Sequence, residues 1–273
     1  MAKDNYEVIF KQFPNMTELH KYLENGEVQD GFKSYQASQK EGDWSGTKDY
    51  KTADDLFMKG DKENAAKMDK MSGGIRELIR KYAAQKPTMK KFVSVAGFMP
   101  HVPNYLAGVP VSMIAAKRTK IPEKVTDIVV NMQIDCGVSC EEIIITMVEL
   151  FKAIMMIEST GTRVNLYSGE LVHNVSAQQF VGLMVKIKSS SQPIDIVKMV
   201  YPLVHPSMLR RHNFRYMEVT KGVSPEFNDG YGRCGEENTE RLRKIMKDAH
   251  VTDFYECRHK KAEEIVKQIF TKK

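Results

Sequence analysis

The sequence predicts an α/β protein: a mixed, partly parallel sheet with helices on both faces, preceded by a mostly helical N-terminal region. Strand and helix signals alternate from Phe92 onward. Within that stretch, residues 125–134 are apolar and β-branched enough for a central strand, and residues 141–159 are apolar around most of a helix circumference, which indicates burial. This alternation is typical of a sheet with helices packed on its faces. We therefore expect a helical region at residues 1–90 and an α/β domain at residues 91–273.

The N-terminal region carries three helix signals, at residues 16–23, 52–60 and 74–84. Thr52 is predicted to cap the second helix, with Asp55 at the capping-box position and Gly60 as the stop signal. A polar stretch that contains glycine separates the first two helices. We expect this region to form a peripheral arm.

The rest of the chain continues the alternation. Its predicted strands are 162–167, 180–188, 216–220 and 251–257, and its predicted helices are 194–203, one that starts at Pro206, 236–247 and 262–270. Residues 93–113 place prolines and glycines within an apolar run. This combination predicts a buried, irregular connection that packs against the sheet.

Composition excludes several classes of protein. The chain has 273 residues, of which 42% are hydrophobic and 28% charged, and these values are typical of a folded globular protein. No stretch approaches the ~20 apolar residues of a membrane span, and the N-terminus does not resemble a secretory signal, so we expect no membrane partner. Four cysteines in so long a chain predict free thiols in a reducing compartment.

Motifs for catalysis do not occur in the sequence. A nucleophile elbow, a phosphate-binding Walker loop and a dinucleotide-binding glycine triplet are all missing, and the histidines lack metal-ligand spacing. Cys136, Cys140, Cys257 and His259 do not form the paired C-x2-C pattern of a strong zinc site, which favours buried thiols. Nothing in the sequence therefore supports an enzyme.

The most concentrated basic segment is 209–216, which contains Arg210, Arg211 and Arg215 in a chain of net charge +6. Arginine suits phosphate because its guanidinium is planar and donates in a fork, so these residues are candidates for binding nucleic acid. The alternative is that they pair with acidic residues of neighbouring helices or lie over the sheet edge.

Several segments resemble a family of uncharacterised proteins encoded by tailed bacteriophages. They are WSGTKDYKTADDLFMKG at 44–60, NYLAGVPVSM at 104–113, the core at 125–166 and HPSMLRRHNFRYME at 205–218. This resemblance covers most of the chain and implies a phage source without a mechanism.

The C-terminal two thirds also resembles a von Willebrand factor A domain, whose first strand ends in Asp-x-Ser-x-Ser. Here the strand ends in Asp135-Cys136-Gly137-Val138-Ser139, and Ser191 lies in the loop expected to complete the metal site. The resemblance implies that Asp135, Ser139 and Ser191 hold a magnesium ion. Gly137 replaces the first serine, however, and the later strand expected to end in Asp-Gly reads Thr220-Lys221-Gly222. The alternative is that Asp135 and Ser139 cap the following helix.

These observations favour a non-enzymatic, phage-encoded binding or adaptor protein. It would act through contacts with a protein partner, either a host factor or a virion component, in the host cytoplasm or in the particle. The alternative function is nucleic-acid binding through segment 209–216. A more distant alternative is a metal-dependent hydrolase centred on Asp135.

Overall fold

A computed structural model describes residues 6–71, 89–118, 124–227, 231 and 234–271. The strands are β1 (Glu7–Phe13), β2 (Met89–Ser94), β3 (Met99–Pro100), β4 (Met113–Arg118), β5 (Lys124–Asn131), β6 (Thr162–Asn174), β7 (Gln179–Lys188) and β8 (His250–Asp253). The α-helices are α1 (Met16–Asn25), α2 (Tyr50–Lys59), α3 (Lys62–Met71), α4 (Val102–Leu106), α5 (Cys140–Ser159), α6 (Ile196–Val204), α7 (Phe214–Val219), α8 (Glu236–Ile245), α9 (Phe254–Cys257) and α10 (Ala262–Thr271). A π-helical segment, Met208–Asn213, precedes α7.

The main sheet has five strands in the order β1-β7-β6-β5-β8. β5 pairs in parallel with β6 and β8, β6 and β7 form an antiparallel hairpin, and β1 pairs in parallel with β7. The predicted mixed, partly parallel sheet is therefore confirmed.

Helices cover both faces of this sheet, as predicted. Ile128 and Val130 of β5 pack into a core formed with α3, α5, α6 and α10, whereas Val129 faces Leu242 of α8. β5 is buried on both faces because side chains alternate along a strand and each face has its own helical layer. This double burial explains why its sequence is a nearly continuous apolar run.

The N-terminal region is not the peripheral arm that its sequence suggested. It contributes β1 to the main sheet, and Leu19, Leu23 and Phe57 are fully buried in a core shared with β7 and α7. Leu19 and Leu23 are four residues apart on α1, so both lie on the helix face that packs inward. The proposed boundary between residues 1–90 and 91–273 stays a prediction.

Several element boundaries differ from those predicted. Asp49, not Thr52, caps α2: its side chain accepts a hydrogen bond of 2.7 Å from the Thr52 amide. No helix was predicted at the position of α3, and the predicted helix 74–84 lies outside the described residues.

Segment 216–220 was predicted as a strand, but residues 214–219 form the helix α7. Tyr216 and Met217 are buried in the core around β7, and Glu218 accepts hydrogen bonds from Ser38. These long-range contacts outweigh the strand propensity of the local sequence.

Candidate interaction surface

The segment predicted to be buried against the sheet is instead an exposed unit, and that prediction is wrong. Residues 89–118 form a three-stranded sheet in the order β2-β4-β3, with α4 in the connection from β3 to β4. We call residues 89–118 the apolar module. Its strands pair with one another and not with the main sheet.

Large apolar side chains of the module lie in solvent. The exposed fraction is 70% for Val95, 63% for Phe98, 68% for Tyr105 and 79% for Leu106. Six more are exposed at lower fractions, namely Phe92, Val93, Met99, Val102, Val109 and Val111. Single exposed apolar residues are ordinary, but ten such residues within the twenty positions from 92 to 111 are more than the scattered ones that need no explanation.

Internal hydrogen bonds hold the module in one shape. The Phe98 amide donates to the Ile114 carbonyl at 3.0 Å, and the Asn104 side chain donates to the Val111 carbonyl at 2.8 Å. Gly97 is required where β4 passes, because a Cβ there would lie 2.1 Å from the Ile114 carbonyl oxygen. The apolar side chains are thus presented by an ordered backbone.

The apolar module and the chain on either side of it contain cationic residues and no anionic ones. No Asp or Glu occurs from Leu78 to Pro122. The cations of the module lie at the ends of β2 and β4, where Lys90 pairs with Lys117 and Met89 pairs with Arg118 in the strand register. The module therefore combines an apolar tip, residues 95–111, with four cationic positions in the strands β2 and β4.

The three arginines of segment 209–216 face the protein. Arg211 is completely buried, and its five guanidinium N–H groups donate to the Thr47 hydroxyl and to four carbonyls, those of Ser38, Lys40, Gly42 and Thr47. Its guanidinium also lies over the Trp44 ring, 5.6 Å from the ring centroid. In this conformation Arg211 has no donor left for a phosphate.

The other two arginines bind the same stretch of chain. Arg210 donates to the Trp44 carbonyl at 2.7 Å, and Arg215 donates to the carbonyls of Leu23 and Gly26 and to the Gln36 side chain. We call residues 26–47 the clamped loop. Sequence reasoning expected carboxylates as partners, but the partners are mainly backbone carbonyls, which carry no sequence signal.

The three predicted metal ligands are engaged separately. Asp135 accepts a hydrogen bond of 2.7 Å from the Tyr255 hydroxyl, Ser139 caps α5 by accepting from the Glu142 amide, and the Ser191 hydroxyl lies 3.1 Å from that of Ser189. Within the described ranges, no group of three His, Cys, Asp or Glu side chains is placed to hold a metal. That Asp135, Ser139 and Ser191 together hold a magnesium ion, which requires near-octahedral oxygen ligation, stays a prediction. Ser139 is the helix cap that the alternative predicted, and Asp135 is not.

Asp253 is the polar residue that sequence reasoning missed at this end of the sheet. It ends β8, the strand beside β5, and lines a cavity of about 610 Å³ with Asp135 and Gln133. Burial raises the pKa of Asp253, and its carboxylate accepts hydrogen bonds from the Thr239 hydroxyl and the Glu256 amide. The resemblance placed the strand that ends at 220–222 in this position, because the order of strands cannot be read from the sequence.

A second buried carboxyl lies beneath the π-helical segment. Glu170 of β6 is 1% exposed, and in the described part of the chain neither of its oxygens makes a hydrogen bond of normal geometry. Burial raises the pKa of Glu170 well above its usual value, and the neighbouring Asn213 amide offsets this only in part. Asn213 is itself buried without a hydrogen-bond partner of normal geometry.

The fold and surfaces define a mixed α/β protein with an exposed apolar module. No helix in the described ranges is long and apolar enough to cross a membrane. Over residues 2–273 the chain matches the family model described as a domain of unknown function, DUF7192, and it belongs to that family. No curated protein and no solved structure matches the chain.

Proposed function

We propose that this chain is a non-enzymatic binding or adaptor protein that acts through protein–protein contacts, and that the apolar module is its contact surface. The observation that carries this proposal is the set of ten large apolar side chains exposed between Phe92 and Val111. Leaving such a set in water forfeits about 25 cal/mol for each Å² that a partner would otherwise cover.

The order of the module favours binding over a passive loop. A surface that is already held by internal hydrogen bonds loses little conformational entropy when a partner binds. Gly97 and Asn104 supply that order from within the module, as described above. Most of the free energy gained when a partner covers the apolar tip would therefore contribute to affinity, because little of it is spent on ordering the module.

The finer parts of the proposal rest on resemblance. Segments such as 44–60 and 104–113 resemble bacteriophage proteins, which supports a host factor or a virion component as the partner, in the host cytoplasm or in the particle. The strand order β7-β6-β5-β8, with α5 following β5, supports a degenerate von Willebrand A-like sheet as the scaffold.

A site-specific photo-crosslinker tests the proposal. It is placed at Tyr105 in the module and, as a matched control, at Tyr35, which is 57% exposed outside it. We expect a protein crosslinked from Tyr105 and not from Tyr35. After purification this protein should bind the parent chain and lose about tenfold or more in affinity to Leu106→Asp, since a charge at the centre of an apolar contact is costly to desolvate.

Two results would contradict the proposal. One is equal crosslinking from both positions. The other is a purified pair whose affinity is unchanged by Leu106→Asp although the variant melts like the parent. A role through segment 209–216 would instead give binding to a labelled oligonucleotide that weakens steeply with salt.

A further inference from the structure

The small sheet of the apolar module has open edges. β3 covers only Met113 and Ile114 of β4, and β2 pairs with β4 on one side. Within the described ranges no strand pairs with the other side of β2. Among the described residues, the outer N–H and C=O groups of Met89–Ser94 have no strand partner, and an edge of this kind can accept an added strand.

We infer that the partner binds by adding an extended segment of its own chain to the β2 edge. This segment consists of a short apolar run that is flanked on one side by Asp or Glu. This inference rests on the proposed function and names its partner class. Strand addition of this kind draws affinity from main-chain hydrogen bonds and specificity from the side chains beside the edge.

The residues of β2 specify the chemistry of that segment. Phe92 and Val93 are consecutive, so they point to opposite faces of the sheet, and both are exposed. A strand laid beside them would place apolar side chains on both faces, which requires an apolar run. Lys90 and Lys91 precede that pair, and opposite charges on neighbouring strands stabilise pairing.

Other occupants fit less well. Insertion of this edge into lipid would leave unpaired backbone groups in hydrocarbon, and each would cost several kcal/mol. A second copy at the same edge would bring together two cationic segments, because no carboxylate occurs from Leu78 to Pro122. A nucleic acid would satisfy the cations but leave the apolar tip uncovered.

The experiment uses a random dodecapeptide library displayed for selection against the full immobilised chain. We expect the enriched peptides to share an apolar run with Asp or Glu on one side. A synthetic peptide of the consensus should slow amide hydrogen exchange at residues 89–94. Lys91→Glu should weaken its binding roughly tenfold, while the control Lys48→Glu, whose side chain is 74% exposed elsewhere, should leave binding unchanged.

Three outcomes would overturn the inference: no enriched peptide, enriched peptides without the apolar run and acidic flank, or protection that appears outside β2. Stronger binding of the chain to phosphatidylserine vesicles than to the selected peptide would also overturn it. The two proposals fail differently. If the peptide slows amide hydrogen exchange only at residues 98–106, edge pairing is refuted and the apolar module remains a binding surface. If the peptide slows exchange nowhere in the module and binds Leu106→Asp as well as the parent, both proposals are refuted.

Discussion

The clamped loop and the apolar module each contain three Phe, Tyr or Trp residues, yet the loop contributes to the core and the module lies in solvent. Phe32 of the clamped loop is 1% exposed, whereas Phe98 of the module is 63% exposed. The difference lies in their polar partners. The carbonyls of the loop accept hydrogen bonds from arginines far away in sequence, whereas the module, within the described ranges, makes its hydrogen bonds internally. In the part of the chain that the structure describes, the module has no hydrogen bond to the body of the protein, and its apolar side chains stay exposed.

Replacing Arg211 of the segment that holds the clamped loop should change the free energy of unfolding most. Arg211→Met leaves several carbonyls of the clamped loop without donors, and because each unsatisfied buried acceptor costs about 1–3 kcal/mol, the free energy of unfolding should fall by several kcal/mol. Urea unfolding followed by circular dichroism measures the change. The control is Lys91→Met in the module, which should change stability by less than about 0.5 kcal/mol. Similar losses in the two variants would mean that the loop is not held by Arg211.

Glu170, which lies beneath the segment that carries Arg211, should make the stability of the protein depend on pH. Because burial raises its folded pKa, the folded state holds the proton more tightly than the unfolded state. The stability that this proton contributes is present below the unfolded pKa and is lost as pH rises toward the folded pKa.

The variant that isolates this effect is Glu170→Gln. It should be more stable than the parent at neutral pH, and the difference should shrink as the pH falls toward about 4, near the pKa of an unperturbed glutamate, and stay constant below it. Thermal melts of both proteins across that range measure it. A parent whose pH profile parallels that of Glu170→Gln would show that Glu170 ionises normally.

Smaller effects are expected at the carboxyl end of β5. Ser139→Ala removes the cap of α5 and should cost about 1 kcal/mol. Asp135→Ala removes the acceptor of the Tyr255 hydroxyl and should cost about 1 kcal/mol as well. Chemical unfolding measures both losses. Magnesium should leave the melting temperature of the parent unchanged, and a rise that disappears in Asp135→Ala would show instead that the cation binds there.

The smallest effect on stability is expected at the tip of the module. Leu106 is 79% exposed, so Leu106→Ser should change the unfolding free energy by less than about 0.5 kcal/mol. Leu23→Ser, at a buried position of α1, is the matched control and should lose several kcal/mol. Equal losses in urea unfolding would mean that Leu106 is packed and that the module is part of the core.

Much of the α/β layout was predictable because its signals are local. The apolar runs of β5 and α5 indicate burial by themselves. Ser139 begins α5 and Gly60 ends α2, in each case through contacts within a few residues. β1 escaped prediction because it is paired with a strand more than 160 residues later, in the register Glu7 to Gln179.

The sequence by itself determined the mixed sheet, the buried α5 and the concentration of arginines at 209–216. Only the tertiary structure decided what those arginines bind, which strand lies beside β5, and that the apolar run at 93–113 stays outside the core. The physical reason is the same in each case. Hydrophobicity and helix capping act between near neighbours, whereas a buried guanidinium or an exposed apolar tip is defined by distant parts of the chain that do, or do not, pack against it.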